Sequence, residues 1–263
     1  MTTSDVEDVS LTLFVALKEE LRTIEPQLKR RGVVRLDDVR YTVGELRGVR
    51  VALCRTGIGA AHARQRARSL FAATRPDAAL VVGFGGALKS GWETGECVVA
   101  SEVVKWSTQY QFDSIDIAQL KRWASPEHLL ERVKAPTEEF PLRSGRLVSI
   151  DNVLSGADEK RQLGAALDAE AVEMESAGVI EAAIPHGIPV LCARVILDEY
   201  DFELPFDFGK ILNPQGEPRL VKSLIEIGSH PSRWGQVKAL SSRASQAAKV
   251  LGRVVPQIVG RMK

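Results

Sequence analysis

Cysteine is scarce in this chain: Cys54, Cys97 and Cys192 are an odd number, far apart, each inside an apolar, strand-like run. That pattern excludes a disulfide scaffold and leaves reduced core thiols. The four histidines, His62, His128, His186 and His230, show no ligand spacing, which argues against zinc. Charge of one sign is also missing, since 35 basic residues face 34 acidic ones. A net charge near zero offers nothing to a nucleic acid or an anionic membrane. The longest apolar runs, "AALVVGFGGAL" among them, are too short to cross a bilayer, and Met1 to Ser10 is acidic where a signal peptide is basic. A cytoplasmic protein is the expectation.

Familiar catalytic signatures are absent too. "RTGIGAAHARQR" lacks the GxGxxG spacing, and no acid follows at the distance of a dinucleotide site. No GxxxxGK[ST] occurs, and Ser155 and Ser176 lack a nucleophile elbow. No internal repeat is visible.

What is present is alternation. "LTLFVAL", "RYTVGEL", "GVRVALCRTG", "DAALVVGFGG", "ECVVASEVVKW", "GRLVSIDNVL" and "IPVLCARVILD" read as strands. "KEELRTIEPQL", with Leu21, Ile24 and Leu28 at helical spacing, "AAHARQRARSLFAATR", "ADEKRQLGAAL" and "VEMESAGVIEAAIPHG" read as helices. Several strands are apolar throughout, so the expected fold is one three-layer α/β/α domain around a central mixed β-sheet. Ser107 to Arg143, with Pro126, Pro136 and Pro141, reads as a loop with a short helix. Residues 217–263 read as a helical C-terminal extension. Its stripe of Trp234, Val237, Leu240, Ala244, Ala247, Leu251, Val254 and Ile258 is expected to dock on the body or a partner subunit, with a membrane surface as the other option.

The chemistry left over is carboxylates at strand ends: Glu19 and Glu20 after the first strand, Glu173 and Glu175 in "DAEAVEMESAGV", and Asp198 and Glu199 after the last core strand. Ligands of open α/β sheets sit at such carboxyl ends, so these acids are candidates to converge.

Four blocks in order, "FVALKEEL", "TGIGAAHARQRARSLFAATRPDAALVVGFGGAL", "AVEMESAGV" and "ARVILDEYD", resemble the purine nucleoside phosphorylase and uridine phosphorylase superfamily. Within it the chain resembles the methylthioadenosine/adenosylhomocysteine nucleosidases and the hopanoid-associated phosphorylases. The resemblance spans roughly residues 11 to 200 and implies a nucleoside phosphorylase-like fold. It implies that Glu175 binds the ribose hydroxyls, that Met174 packs on the ribose face, and that Glu173 is the neighbouring acid of the motif. It places the acid beside the leaving base on Asp198 and the residue that orients or deprotonates water on Glu20. Gly85 belongs to the strand-end glycine loop. No metal or organic cofactor is implied, and a homo-oligomer of at least two subunits is, because relatives complete the 5′ side of the pocket with a neighbour.

Departures from the pattern are informative. "SIDNV" stands where "SGDAF" is usual, putting Val153 at the base-stacking aromatic, and Phe84 replaces a small residue in "GFGGAL". Phe84, Phe202 or Phe206 are the candidates to supply a stacking surface instead. The phosphate-holding arginines of the phosphorylases are absent: "ALKEEL" follows the first strand and Val81 precedes the glycines, with Arg55 and Arg194 the remaining alternatives. After Asp198 an "LPxDF" element, Leu204 to Phe208, matches the hopanoid-associated members, whose implied reaction releases adenine from adenosylhopane. The expectation is therefore a nucleosidase hydrolysing a 5′-modified purine nucleoside, with an amphiphilic 5′ substituent in view. Phosphorolysis, a methylthioadenosine/adenosylhomocysteine or futalosine-type nucleosidase, and a non-catalytic nucleoside-binding module are the alternatives.

Overall fold

A computed structural model describes residues 8–36, 39–107, 116–134, 142–204 and 234–263. Three strands form its centre: β1 (Leu11–Val15), β5 (Ala78–Ala87) and β10 (Val190–Asp198), with β5 parallel to both of the others. Successive residues alternate between two cores. In β1, Leu11, Leu13 and Val15 enter one apolar cluster while Phe14 enters the other. Ala79 and Val81 of β5 and Cys192 and Ile196 of β10 share the cluster of Phe14, and Leu80, Val82, Leu191, Ala193 and Val195 share that of Leu13. Strands buried on both faces have to be apolar at every position, which is why they read as unbroken runs.

Outward from β1 run β4 (Val49–Arg55), β3 (Val39–Leu46) and β2 (Lys29–Leu36). On the other side the sheet curls back on itself. β10 pairs with β5 and with β6 (Cys97–Trp106); β6 pairs with β8 (Leu142–Ile150); β8 pairs with β9 (Ala171–Glu173), which returns to β5. The short β7 (Arg122–Ala124) joins β6.

Helices α1 (Lys18–Ile24), α3 (Glu127–Lys134) and α6 (Trp234–Arg261) cover one face, and α2 (Ala60–Thr74) and α5 (Ser176–Ala183) the other. α4 (Ala157–Leu167) seals a third cluster with Leu88, Val148 and Ile150. α2 and α5 pack tightly: a Cβ on Gly178 would stand 2.0 Å from the Ala60 carbonyl oxygen. The arrangement is the expected α/β architecture with a mixed sheet.

Several elements differ from the sequence expectation. "VEME" is not helical: Ala171–Glu173 is a strand, Glu175 is the N-cap, and α5 starts only at Ser176. The Glu173 carboxylate accepts from the N–H groups of Glu175 and Ser176, both at 2.9 Å, and this capture turns the chain between strand and helix. α1 stops at Ile24 because Pro26 allows only a 3₁₀ turn over Glu25–Gln27, so Leu28 lies beyond it. β2 was not expected, because it is an edge strand that pairs with β3 and carries the basic side chains of Lys29, Arg30, Arg31 and Arg35. β7 escapes notice at three residues, and β8 begins at Leu142 and ends at Ile150, leaving Asp151 to Leu154 outside it.

The stripe of α6 divides in two. Ala247, Leu251, Val254 and Ile258 are buried in the cluster of Leu13, whereas Trp234 is 58% exposed. No helix among the described residues is long and apolar enough to cross a membrane. Residues 217–233 of the expected extension, with Phe206 and Phe208 before them, lie outside the described residues.

Candidate active site

The carboxyl ends of β1, β5, β9 and β10 surround a cavity of about 150 Å³. Glu20, Phe84, Gly85, Val153, Glu173, Met174, Glu175 and Asp198 all line it, with Leu17, Ile58, Ile150, Leu154 and Leu204 supplying apolar wall. Phe202 is not in the lining. Its ring lies against the Arg243 guanidinium, 4.3 Å from the ring centre, and its carbonyl accepts from Lys160 at 2.9 Å. Glu19, by contrast, is an exposed residue of the first turn of α1.

Glu20 occupies the third position of α1 and reaches back over the helix start. One oxygen accepts from Ala16 and Leu17 N–H, both at 2.8 Å, and the other accepts from Phe84 N–H at 2.8 Å. Its position is thus fixed by main chain at the ends of two strands. Gly83 makes room for it, since a Cβ there would lie 2.6 Å from Glu20 Oε1. Burial pushes the Glu20 carboxyl above its usual range, against these donors and Arg194.

At the "VEMES" turn three charges interlock. Arg194, 1% exposed on β10, donates to Glu173 in a very short contact and to Glu175 at 3.4 Å. Glu175 also accepts from Gly59 N–H at 2.9 Å. Gly59 caps α2 at φ +103°, a conformation that favours glycine. Burial raises the Glu173 carboxyl, yet Arg194, Ser149 and backbone donors outweigh it and hold the group below normal. Burial dominates at Glu175 and pushes it up to about 8, with Arg194 opposing and Glu173 adding to the rise. The two acids therefore separate, Glu173 as the fixed partner of Arg194 and Glu175 as a group poised near neutrality.

Asp198 closes the cavity at the end of β10. Its Oδ2 accepts from Lys160 of α4 in a very short contact, and a Cβ on Gly86 would stand 3.1 Å from that oxygen. Burial raises the Asp198 carboxyl and Lys160 opposes the rise. Lys160 was missed by the reading of "ADEKRQLGAAL" as an ordinary helix. The signal was there: Ala157, Lys160, Gly164 and Leu167 form one buried stripe, and a lysine inside an apolar stripe calls for a buried anion.

Arg194, an alternative phosphate ligand on sequence grounds, is committed to Glu173 and Glu175. No arginine lines the cavity among the described residues. The arrangement combines a carboxylate facing an arginine and a backbone amide, an acid fixed by a lysine, and a third carboxylate held by backbone amides.

A family profile described as the phosphorylase superfamily matches residues 10–215. A 5′-methylthioadenosine/S-adenosylhomocysteine nucleosidase of Staphylococcus aureus is 24% identical over 205 residues, 75% of this chain and 90% of that protein. Among solved structures, the nucleosidase of the same name from Colwellia psychrerythraea, in complex with adenine, superposes with TM-score 0.74 at 17% identity, covering 98% of this chain and 97% of that one. A futalosine hydrolase from Helicobacter pylori gives TM-score 0.72 at 17% identity, over 96% and 97%.

Proposed function

The chain belongs to the phosphorylase superfamily, and on that premise we propose that it is a nucleosidase that hydrolyses the N-glycosidic bond of a 5′-modified purine nucleoside and releases adenine. The observation that carries this reading is the convergence of Glu20, Glu175 and Asp198 on one cavity from three distant strand ends. Glu175 accepts the 2′- and 3′-hydroxyls, and Met174 packs on the sugar. As the C1′–N9 bond breaks, its electron pair passes to the purine, and Asp198 delivers a proton to N7. Water adds to C1′ and gives its proton to Glu20. Positioned proton transfer of this kind contributes about 10² to 10⁴ in rate. A non-catalytic binding module would have no use for both Asp198 and Glu20.

Hydrolysis rather than phosphorolysis is favoured by the charges. A phosphate dianion needs compensating donors, whereas four carboxylates line this cavity, and the one lining cation among the described residues, Lys160, is held by Asp198. The S. aureus and H. pylori relatives act on methylthioadenosine, adenosylhomocysteine or futalosine by name, which keeps those compounds in the substrate panel. The apolar wall of Leu17, Ile58, Leu154 and Leu204 supports an apolar 5′ substituent, adenosylhopane being the finer form of the reading. A homo-oligomer is part of the reading and is tested by sedimentation. Membrane contact is not, because the second half of the α6 stripe is core.

The deciding experiment incubates the protein with 5′-modified adenosines in labelled water, with and without phosphate. Free adenine and label at the anomeric hydroxyl, read before exchange, are expected. A ribosyl 1-phosphate product would overturn hydrolysis.

A further inference from the structure

Lys160 is 1% exposed, yet it carries an ammonium into the interior of the α/β body. A buried ammonium is tolerated when each of its three N–H bonds finds an acceptor. Here the acceptors are Asp198 Oδ2, the Glu199 carbonyl at 3.1 Å and the Phe202 carbonyl at 2.9 Å. One side chain on α4 therefore ties down both the acid and the segment that leaves β10 after it. Arg243 of α6 braces the same segment from outside, donating to Glu199 at 2.8 Å and stacking on Phe202. Thr94 donates to the remaining oxygen of Glu199 at 2.6 Å.

We propose that Lys160 is the positioning residue of the leaving-group acid: it holds Asp198 by Oδ2, so that Oδ1 carries the proton toward the base, and stabilises the carboxylate left behind. The inference rests on the nucleosidase reading and adds a residue to it. The atoms balance: the proton moves from Asp198 Oδ1 to the purine, the glycosidic pair moves with the base, and the new negative charge on Asp198 sits beside an ammonium that keeps its own protons. A hydrogen-bonded lysine at this point also explains why α4 interrupts its apolar stripe with a charge.

Three charged groups face Asp198. Lys160 from α4 and Arg243 from α6 favour its carboxylate, Glu199 disfavours it, and the β5 edge presents only Gly86. Burial and Lys160 pull in opposite directions, burial keeping the proton on the acid and Lys160 easing its departure. Removing Lys160 leaves burial unopposed except by Arg243. The acid then holds its proton to higher pH and gives it up less readily.

The test compares wild type with Lys160→Met on two probes: the best-cleaved purine nucleoside of the panel, and 4-nitrophenyl riboside, whose leaving group needs no proton. On the purine, kcat/KM should fall about 10- to 100-fold, the descending alkaline limb should move up by about one pH unit, and nitrophenyl release should fall by less than about threefold. Equal losses on both probes with an unmoved limb would reduce Lys160 to a structural brace. Should Lys160→Met fail to fold, Lys160→Met/Asp198→Asn removes both charges together; its purine turnover should match Asp198→Asn within about threefold, and a further tenfold loss would overturn the proposal. Wild-type protein that cleaves neither probe tells against the nucleosidase reading itself, a result distinct from either of these.

Discussion

The two ends of the cavity hold their carboxylates in different ways. At the end proposed to hold the sugar, Glu173 and Glu175 share Arg194, and backbone N–H groups from Gly59, Glu175 and Ser176 complete the cage. At the end proposed to hold the base, Asp198 meets a single lysine amid apolar wall. The contrast reflects the chemistry of each cation. An arginine is a rigid fork that stays charged and fixes geometry, which suits a pair of neighbouring acids that must be held in place. A lysine is a compact point charge on a flexible stem, able to follow an acid that, in the proposed reaction, changes its charge. Burial raises the Glu175 and Asp198 carboxyls alike, but the opposing cation sets what each does next.

The largest expected effect falls on the sugar end. Glu175→Gln removes the carboxylate proposed to accept two hydroxyls; above about pH 8, where Glu175 ionises, each bond is worth about 1.5 to 3 kcal/mol, so kcat/KM there should drop by roughly 10³ while the fold survives. Near wild-type turnover would remove the grip assigned to this end.

Next comes the base end. Asp198→Asn should cost about 10² or more in turnover on a purine nucleoside and far less on a nitrophenyl riboside. An equal deficit on both leaving groups would mean that the two ends do not differ in kind.

Between them stands Glu20, which belongs to neither end and is held by main-chain amides. Gly83→Ala places a Cβ 2.6 Å from Glu20 Oε1 and must displace the carboxylate. A displacement approaching 1 Å predicts a rate loss of about 10²-fold at most, with KM little changed. A crystal structure of the variant with Glu20 unmoved, combined with that loss, would contradict the explanation.

The smallest effect is on stability and concerns the raised Glu175. Its folded value of about 8 lies above the ordinary value of 4.5, so its stabilising contribution is complete below about 4.5 and is lost as pH rises through about 8. Glu175→Gln cannot titrate. Its thermal midpoint should therefore decline less than that of wild type between the two values, and parallel curves would show that Arg194 already keeps Glu175 ionised.

Much of this was legible before folding. The runs "LTLFV", "ALVVGFGG" and "VLCARVILD" are apolar at nearly every position because a strand in the middle of three layers buries both faces. Glu20 and Asp198 stood out because acids just beyond or at the ends of such strands are placed by the strand ends themselves, whereas Glu175 stood out through the resemblance of "AVEMESAGV" to its family. Edge strand β2 was illegible, since a half-exposed strand with basic side chains lacks the pattern that burial imposes. "VEMES" was misread because its acids and apolar residues fit helical spacing, and only the capture of two backbone amides by Glu173 makes it a strand and a turn.

By itself, the sequence determined the class of fold and which acids could be chemical, because both depend on local pattern: apolar runs set the strands, and the residues next along the chain are carried to the strand ends. The tertiary structure decided the partners. Lys160 and Asp198 lie on separate elements, as do Gly59 and Glu175, or Gly83 and Glu20, and no spacing rule links them. A buried charge is defined by whatever neutralises it at contact distance, and contact across a closed sheet exists only once the chain has folded.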